Sequence, residues 1–207
     1  MHIINWSIER PPKAVIEGFR QIPSAIVSDS QGRQRSMNSA MKPLYSGARV
    51  CGPALTVKTY AHDNLMLHKA LQIAQPGDVL VCEAGRYTEG ALWGDLISTS
   101  AQVKGIAGLV LEGAVRDRDD IAALGFPVFC TAVLPGGTYK SNPGSINIPI
   151  SCGGVVVNPG DIVVGDSDGV VIVPREYAEE ILAKCQETLA KEEDMRRRVL
   201  NGELIFD

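Results

Sequence analysis

A chain of 207 residues is long enough to bury a sizeable core, and 45% apolar with 21% charged residues is the balance of a globular protein rather than a disordered one. A formal charge of −4 and a pI near 5.4 give no basic field for a nucleic-acid backbone, so no nucleic-acid partner is expected. No apolar run approaches the ~20 residues of a membrane span, and the opening MHIINWSIERPPK has neither the basic nor the apolar region of a secretory signal, so no membrane association and a cytoplasmic address are expected.

The first forty residues read as two short helical pieces, PKAVIEGFRQI and PSAIVSDSQG, followed by a polar loop. ARVCGPALTVKTY reads as a strand, with β-branched and apolar residues around a Gly-Pro interruption. In HDNLMLHKALQIAQPGD, Asp63 is a candidate N-cap, Leu65, Leu67, His68, Leu71 and Ile73 include a helical stripe, and Pro76-Gly77 ends it. The strand VLVCEA follows, then LWGDLISTSAQVKG as helix, AGLVLEG as strand, and a charged helix from about Arg116.

Beyond Gly125 the chain turns to strands and turns: PVFCTAVL, INIPI, GGVVV, DIVVGD and GVVIVP. Pro-Gly-Asp occurs at Pro76–Asp78 and at Pro159–Asp161, each time launching a strand, which is shared turn chemistry and too little for an internal repeat. Pro174 opens a long charged helix to about Leu200, in which Arg196–Arg198 beside KEED form a solvated face. Alternating helices and strands followed by a strand-rich half predict one layered α/β domain over residues 1–207 with a mixed sheet. The helix over 174–200 is too sparsely apolar at its far end to bury itself there, and is expected to pack on a neighbouring subunit.

Cys51, Cys82, Cys130, Cys152 and Cys185 are odd in number and form no CxxC pair, which predicts buried reduced thiols rather than a zinc or dithiol site. His62 and His68 are six apart, off one helical face, and His2 is terminal, so histidine gives no metal centre.

The chemistry concentrates in GAVRDRDDIAAL, residues 113 to 124, where Arg116, Asp117, Arg118, Asp119 and Asp120 crowd the end of a strand. In a helix starting near Arg116, Asp117 and Asp120 are i and i+3 and share a face, and the N-terminal dipole keeps them anionic and able to hold a hard cation. An ordinary acidic first turn has the same look. Upstream, ALWGDLISTSAQ offers Gly94 at a turn before a helix whose first amides are unpaired and can receive a carboxylate, with Asp95 adding an oxygen; a plain helix start also fits. An anion-binding turn beside a metal-binding turn suits a 2-oxo acid, whose carboxylate and keto oxygens chelate a divalent ion. Schiff-base chemistry would need a desolvated lysine, and Lys58, Lys69 and Lys104 have no context that singles them out.

Gly94-Asp95-Leu96, then nineteen residues, then Arg116-Asp117-x2-Asp120 resembles the signature of the RraA-like family and its class II pyruvate aldolases, the 4-hydroxy-4-methyl-2-oxoglutarate/4-carboxy-4-hydroxy-2-oxoadipate aldolases. GPALTV, DNLMLHKAL, PGDVLVCE, GFPVF and GGVVVNPGDIVVGDSDGVVIVP extend the similarity over roughly residues 25 to 200. The resemblance implies a swivelling-type β/β/α domain with a mixed sheet and a long C-terminal helix, assembled as homotrimers or homohexamers with active sites between subunits.

It also implies roles. Asp117 would ligate Mg²⁺ or Mn²⁺ directly, and Asp95 and Asp120 would act on the ion through water. Arg116 would contact the keto and enolate oxygen, and the backbone amides of Gly94, Asp95, Leu96 and Ile97 would cradle the pyruvyl carboxylate. A glutamate from the neighbouring subunit's C-terminal helix would complete the site, here Glu192, with Glu193 as the alternative register. The implied activity is cleavage of 4-hydroxy-2-oxo diacids to pyruvate and a second oxo acid, with oxaloacetate decarboxylation alongside, since both leave pyruvate enolate. The alternative within the family is a non-catalytic regulator that binds ribonuclease E. As the family is usually described, an acid at the position of Asp120 favours the aldolases, and the long helix with its acids points the same way. The methyltransferase label the family has carried finds no glycine-rich nucleotide loop in this chain.

Overall fold

The computed structural model describes residues 2–203; Met1 and residues 204–207, which the single-domain expectation includes, lie outside the described residues. In chain order the elements are α1 (Lys13–Phe19), α2 (Ser24–Ser30), β1 (Lys42–Pro43), β2 (Val50–Lys58), α3 (Leu65–Ile73), β3 (Val79–Glu83), β4 (Ala91–Trp93) and α4 (Asp95–Val103). There follow β5 (Gly108–Val115), α5 (Arg118–Leu124), β6 (Val128–Val133), β7 (Ser145–Ile146), β8 (Ile150–Cys152), β9 (Val155–Val157), β10 (Ile162–Gly165), β11 (Val170–Val173), a 3-10 turn at Arg175–Tyr177 and α6 (Ala178–Leu200).

One sheet runs β1-β6-β5-β3-β2-β10-β11, with β4 added to β5 and β7 to β2. The pairs β2–β3, β3–β5, β5–β6 and β4–β5 are parallel, while β10 is antiparallel to both β2 and β11 and β1 is antiparallel to β6. The Gly-Pro interruption in β2 marks a change of neighbour. Val50–Pro53 pair with β10, and Ala54–Lys58 pair with β3. Gly52 is required there because a Cβ would sit 2.2 Å from the Gly77 carbonyl oxygen.

The two ends of this sheet are bridged by the segment before β1. Ile172 N–H donates to the Arg35 carbonyl, Met37 N–H donates to the Val170 carbonyl, and five residues later Lys42 pairs with Cys130 of β6. The result is a nearly closed mixed sheet. Its strands are apolar at consecutive positions because both faces are covered, and the two-residue side-chain period divides them cleanly. Val79, Val81, Val110, Phe129, Val163 and Ile172 fill the inside with the β8–β9 hairpin. Leu80, Cys82, Leu109, Leu111, Val128 and Cys130 face the opposite way, under α3, α4 and α5. Ile162, Val164, Val171 and Val173 form a third cluster with α1, α2 and the first turns of α6.

Three local differences from the sequence reading stand out. LWG is not helical: Ala91–Trp93 form β4 against the end of β5, and the helix starts at Asp95 after the extended Gly94. The charged helix does not start near Arg116. β5 continues to Val115, Arg116 N–H donates to the Trp93 carbonyl, and α5 begins only at Arg118. Asp117 is therefore the N-cap residue, in the left-handed conformation (φ 57°, ψ 42°), and does not share a helical face with Asp120. The long C-terminal helix is present, with Ala178, Ile181 and Cys185 buried against α1 and α2 and with Met195, Val199 and Leu200 exposed. All five cysteines are free and buried. No helix among the described residues is long and apolar enough to cross a membrane.

Candidate functional site

The turn from β4 into α4 and the turn from β5 into α5 lie side by side because β4 and β5 are parallel neighbours with matched ends. Their junction is fixed from beneath: Trp93 Nε1 donates to Ser98 Oγ at 2.6 Å, and that hydroxyl donates to the Gly94 carbonyl at 2.8 Å. Asp117, which makes no side-chain cap on its own helix, turns its Oδ2 to the backbone N–H of Asp95 at 3.2 Å. It thus caps the neighbouring helix α4. Arg116 Nε lies 3.3 Å from the same oxygen, with the two side chains 47% and 31% exposed.

These residues rim a cleft of about 200 Å³ lined by Leu92–Ile97, Arg116, Asn64 and His68 of α3 and its start, and Gly137, Thr138 and Lys140 of the β6–β7 loop. Asn64 Nδ2 donates to the Leu92 carbonyl, which aims its Oδ1 away from that strand. Five buried side-chain polar atoms lack a partner among the described residues, and three of them, Asn64 Oδ1, His68 Nε2 and Thr138 Oγ1, belong to this cleft. Buried polar atoms are normally satisfied, so these three leave hydrogen-bonding capacity in the cleft for water or a polar ligand. Burial lowers the His68 pKa, and the Lys140 charge lowers it further, so the imidazole is neutral near pH 7 and Lys140 supplies the positive charge on that wall.

The structure brings Gly94, Asp95, Leu96, Ile97 and Arg116 into one cleft with Asp117 at its edge. The Asp95 amide is already engaged by Asp117, so the first-turn donors left for an anion are those of Leu96 and Ile97. Asp120 stands exposed in the first turn of α5, outside the lining. Glu192 and Glu193 lie on α6, away from the cleft of their own chain. No motif in the sequence singles out Asn64, Thr138 or Lys140 as site residues, and His68 enters it only as part of a helical stripe and as a poor metal ligand. The signal available was the polar pair Asn64 and His68, four apart on an otherwise apolar helix start.

The residues fit a weakly held hard cation. Both protein contacts of the Asp117 carboxylate among the described residues fall on Oδ2, leaving Oδ1 free for a ligand bond. No three His, Cys, Asp or Glu side chains gather into a metal-binding group among the described residues, and Mg²⁺-type ions are commonly held by only one or two carboxylates with water.

Comparison with known proteins places these observations in a family. The pattern of the RraA-like family (Aldolase/RraA) matches residues 24–172. A protein of Halalkalibacterium halodurans, provisionally named 4-hydroxy-4-methyl-2-oxoglutarate aldolase, is 41% identical over 184 residues, 89% of this chain and 88% of that one. An uncharacterised protein of Methanocaldococcus jannaschii is 39% identical over 172 residues, 82% of each chain. The crystal structure of Streptomyces coelicolor RraAS2, described as an unusual member of the RNase ES inhibitor RraA protein family, superposes with a TM-score of 0.83 at 33% identity, covering 92% of this chain and 99% of that one.

Proposed function

The chain belongs to the RraA-like family, and we propose that it is a cytoplasmic divalent-metal-dependent pyruvate aldolase that cleaves 4-hydroxy-2-oxo diacids of the 4-hydroxy-4-methyl-2-oxoglutarate type, with oxaloacetate decarboxylation as a side activity. The observation that carries this reading is the meeting of Arg116, the open first turn of α4 and the Asp117 carboxylate at one small cleft. The provisional aldolase name of the 41% identical relative supports it.

In retro-aldol cleavage the C4 hydroxyl gives up its proton, the C3–C4 bond breaks, and its electron pair leaves charge on the C2 oxygen of pyruvate enolate, which then takes a proton at C3. Arg116 is the fixed cation for that oxygen, and the Leu96 and Ile97 amides hold the adjoining carboxylate. Mg²⁺ or Mn²⁺ held by Asp117, with Asp95 and Asp120 acting through water, would supply Lewis-acid charge at the same place. Asp95, together with Glu192 of a neighbouring subunit, holds the water that carries the proton. The cleft suits a small oxo acid, and loss of carbon dioxide from oxaloacetate would leave the same enolate. The exposed far end of α6 supports a homo-oligomer, trimer or hexamer, in which that helix finds a second surface.

A second reading rests on the likeness to RraAS2: a non-catalytic regulator that binds ribonuclease E. Pyruvate release from a panel of 4-hydroxy-2-oxo acids and from oxaloacetate, with and without chelator, separates the two. Metal-restored pyruvate release is expected. Full activity in metal-free protein would overturn the metal-dependent mechanism, and inhibition of ribonuclease E with no pyruvate from any compound would favour the regulator.

A further inference from the structure

Residues 134–144, LPGGTYKSNPG, join β6 to β7 with no helix or strand of their own. Two prolines and three glycines over eleven exposed or half-exposed positions describe a segment that has little apolar burial to order it. It nevertheless supplies one wall of the cleft, through Gly137, Thr138 and Lys140. The opposite wall is Asn64 and His68, at the start of α3 and one turn into it.

Asp63 joins these walls. It is fully buried, and its two carboxylate oxygens are divided between the two elements. Oδ1 accepts from the Leu65 N–H, the first residue of α3, at 2.9 Å. Oδ2 accepts from the Ser141 and Asn142 N–H groups, each at 2.8 Å, and from the Ser141 hydroxyl and Asn142 side-chain amide at 3.4 and 3.3 Å. Backbone bonds run alongside: Asn64 N–H donates to the Tyr139 carbonyl at 3.0 Å and Tyr139 N–H to the His62 carbonyl at 3.1 Å. Every group facing the carboxylate in this set is a donor. An ionised carboxylate satisfies them all at once, whereas an amide would turn its own N–H₂ onto one set.

We propose that Asp63 is a positioning residue for the cleft: its buried carboxylate, alongside those backbone bonds, holds the loop carrying Thr138 and Lys140 at a fixed separation from the helix carrying Asn64 and His68 and so helps set the width of the pocket. Asp63 itself is not among the residues that line the cleft. Its effect on catalysis passes through the two walls.

The test uses the full chain and amide hydrogen exchange. In the wild-type protein the Ser141 and Asn142 amides are expected to be protected although their side chains are exposed; exchange at unprotected rates would overturn the proposal without any variant. Asp63→Asn, provided its circular dichroism shows it folded, is expected to speed exchange across residues 137–142 about tenfold or more. With oxaloacetate or a 4-hydroxy-2-oxo acid its KM is expected to rise about tenfold while kcat stays within about threefold. A purely structural defect would lower the active fraction, and so the apparent kcat, with KM unmoved; that pattern would also overturn it. If Asp63→Asn fails to fold, the paired Ser141→Ala and Asn142→Ala changes, which remove only side-chain donors, are expected to raise KM by a smaller factor, and an unmoved KM would count against the proposal. The kinetic arm rests on the proposed aldolase reading. Absence of turnover in wild type would sink that reading, while the exchange arm would still decide the role of Asp63.

Discussion

A methyl group on Gly94 would stand 2.5 Å from Asp117 Oδ2 and 3.3 Å from Arg116 Cγ, so bare backbone at Gly94 is what lets the first turn of α4 and the β5–α5 junction share one carboxylate. The backbone there is extended (φ −152°, ψ −166°), a conformation open to any residue. Gly94→Ala therefore adds no backbone strain, and its methyl meets side-chain atoms of Asp117 and Arg116 rather than backbone. It is expected to leave the thermal midpoint nearly unchanged, to displace Asp117, and to lower kcat/KM about a hundredfold, the scale of a misplacement near 1 Å. Calorimetry and kinetics on the same preparation check both halves, and unchanged kinetics would remove Asp117 from the site.

Arg116→Lys keeps the charge and loses the planar fork. If the guanidinium meets the developing oxyanion, kcat falls about a hundredfold, more than KM rises, as for loss of an oxyanion donor. Steady-state kinetics on oxaloacetate suffice. An unchanged kcat would make Arg116 a surface partner of Asp117 and nothing more.

Asp117→Asn subunits and Glu192→Gln subunits are each expected to be inactive. Mixed under conditions in which subunit exchange is shown by mass spectrometry, they are expected to regain activity, because some sites then hold both wild-type groups. Exchange with no recovery would mean that α6 is a packing element and the site is built from one chain.

Asp166 predicts a pH dependence of stability. Burial pushes its carboxyl up, but the Ser24 hydroxyl and N–H and the Asp168 N–H, with the Arg49 charge, more than offset this and hold its pKa below the usual value. A carboxylate with a depressed folded pKa contributes stability that is present above its unfolded value, near 4, and is lost as pH falls through the folded pKa. Asp63 is shifted the same way: burial raises it, and the Ser141, Leu65 and Asn142 amides outweigh that. Urea midpoints measured downward from about pH 5 should fall in wild type and fall less steeply in Asp166→Asn. Equal slopes would show that Asp166 carries no such linkage.

What could be read from sequence followed what was local. The paired Pro-Gly-Asp turns behave alike: Asp78 Oδ2 accepts from the Gln75 N–H and Asp161 Oδ2 from the Asn158 N–H, each three residues back. The apolar runs after Gly125 form strands, except that INIPI is split, with Ile146 ending β7, Ile150 opening β8 and residues 147–149 in neither. β4 was not legible, since three residues become a strand only by lying against the end of β5. The left-handed Asp117 was likewise hidden, because its conformation follows from where β5 lets go of the chain. The cleft wall of Asn64, His68, Thr138 and Lys140 joins residues more than sixty positions apart, and no local pattern reports such a meeting.

The bridge from Arg35 to Lys42 has a bearing on how copies of this chain can meet. With β11 and β6 both engaged by that segment, the long strands offer no row of vacant amides and carbonyls to a stranger, and the pieces appended to the main sheet, β4 and β7, are three and two residues long. Polymerisation by strand addition, the hazard of open sheets, has no template on those strands. Contacts between copies are left to surfaces off those strands, the exposed far end of α6 among them, where a point substitution leaves the sheet's own bonds untouched.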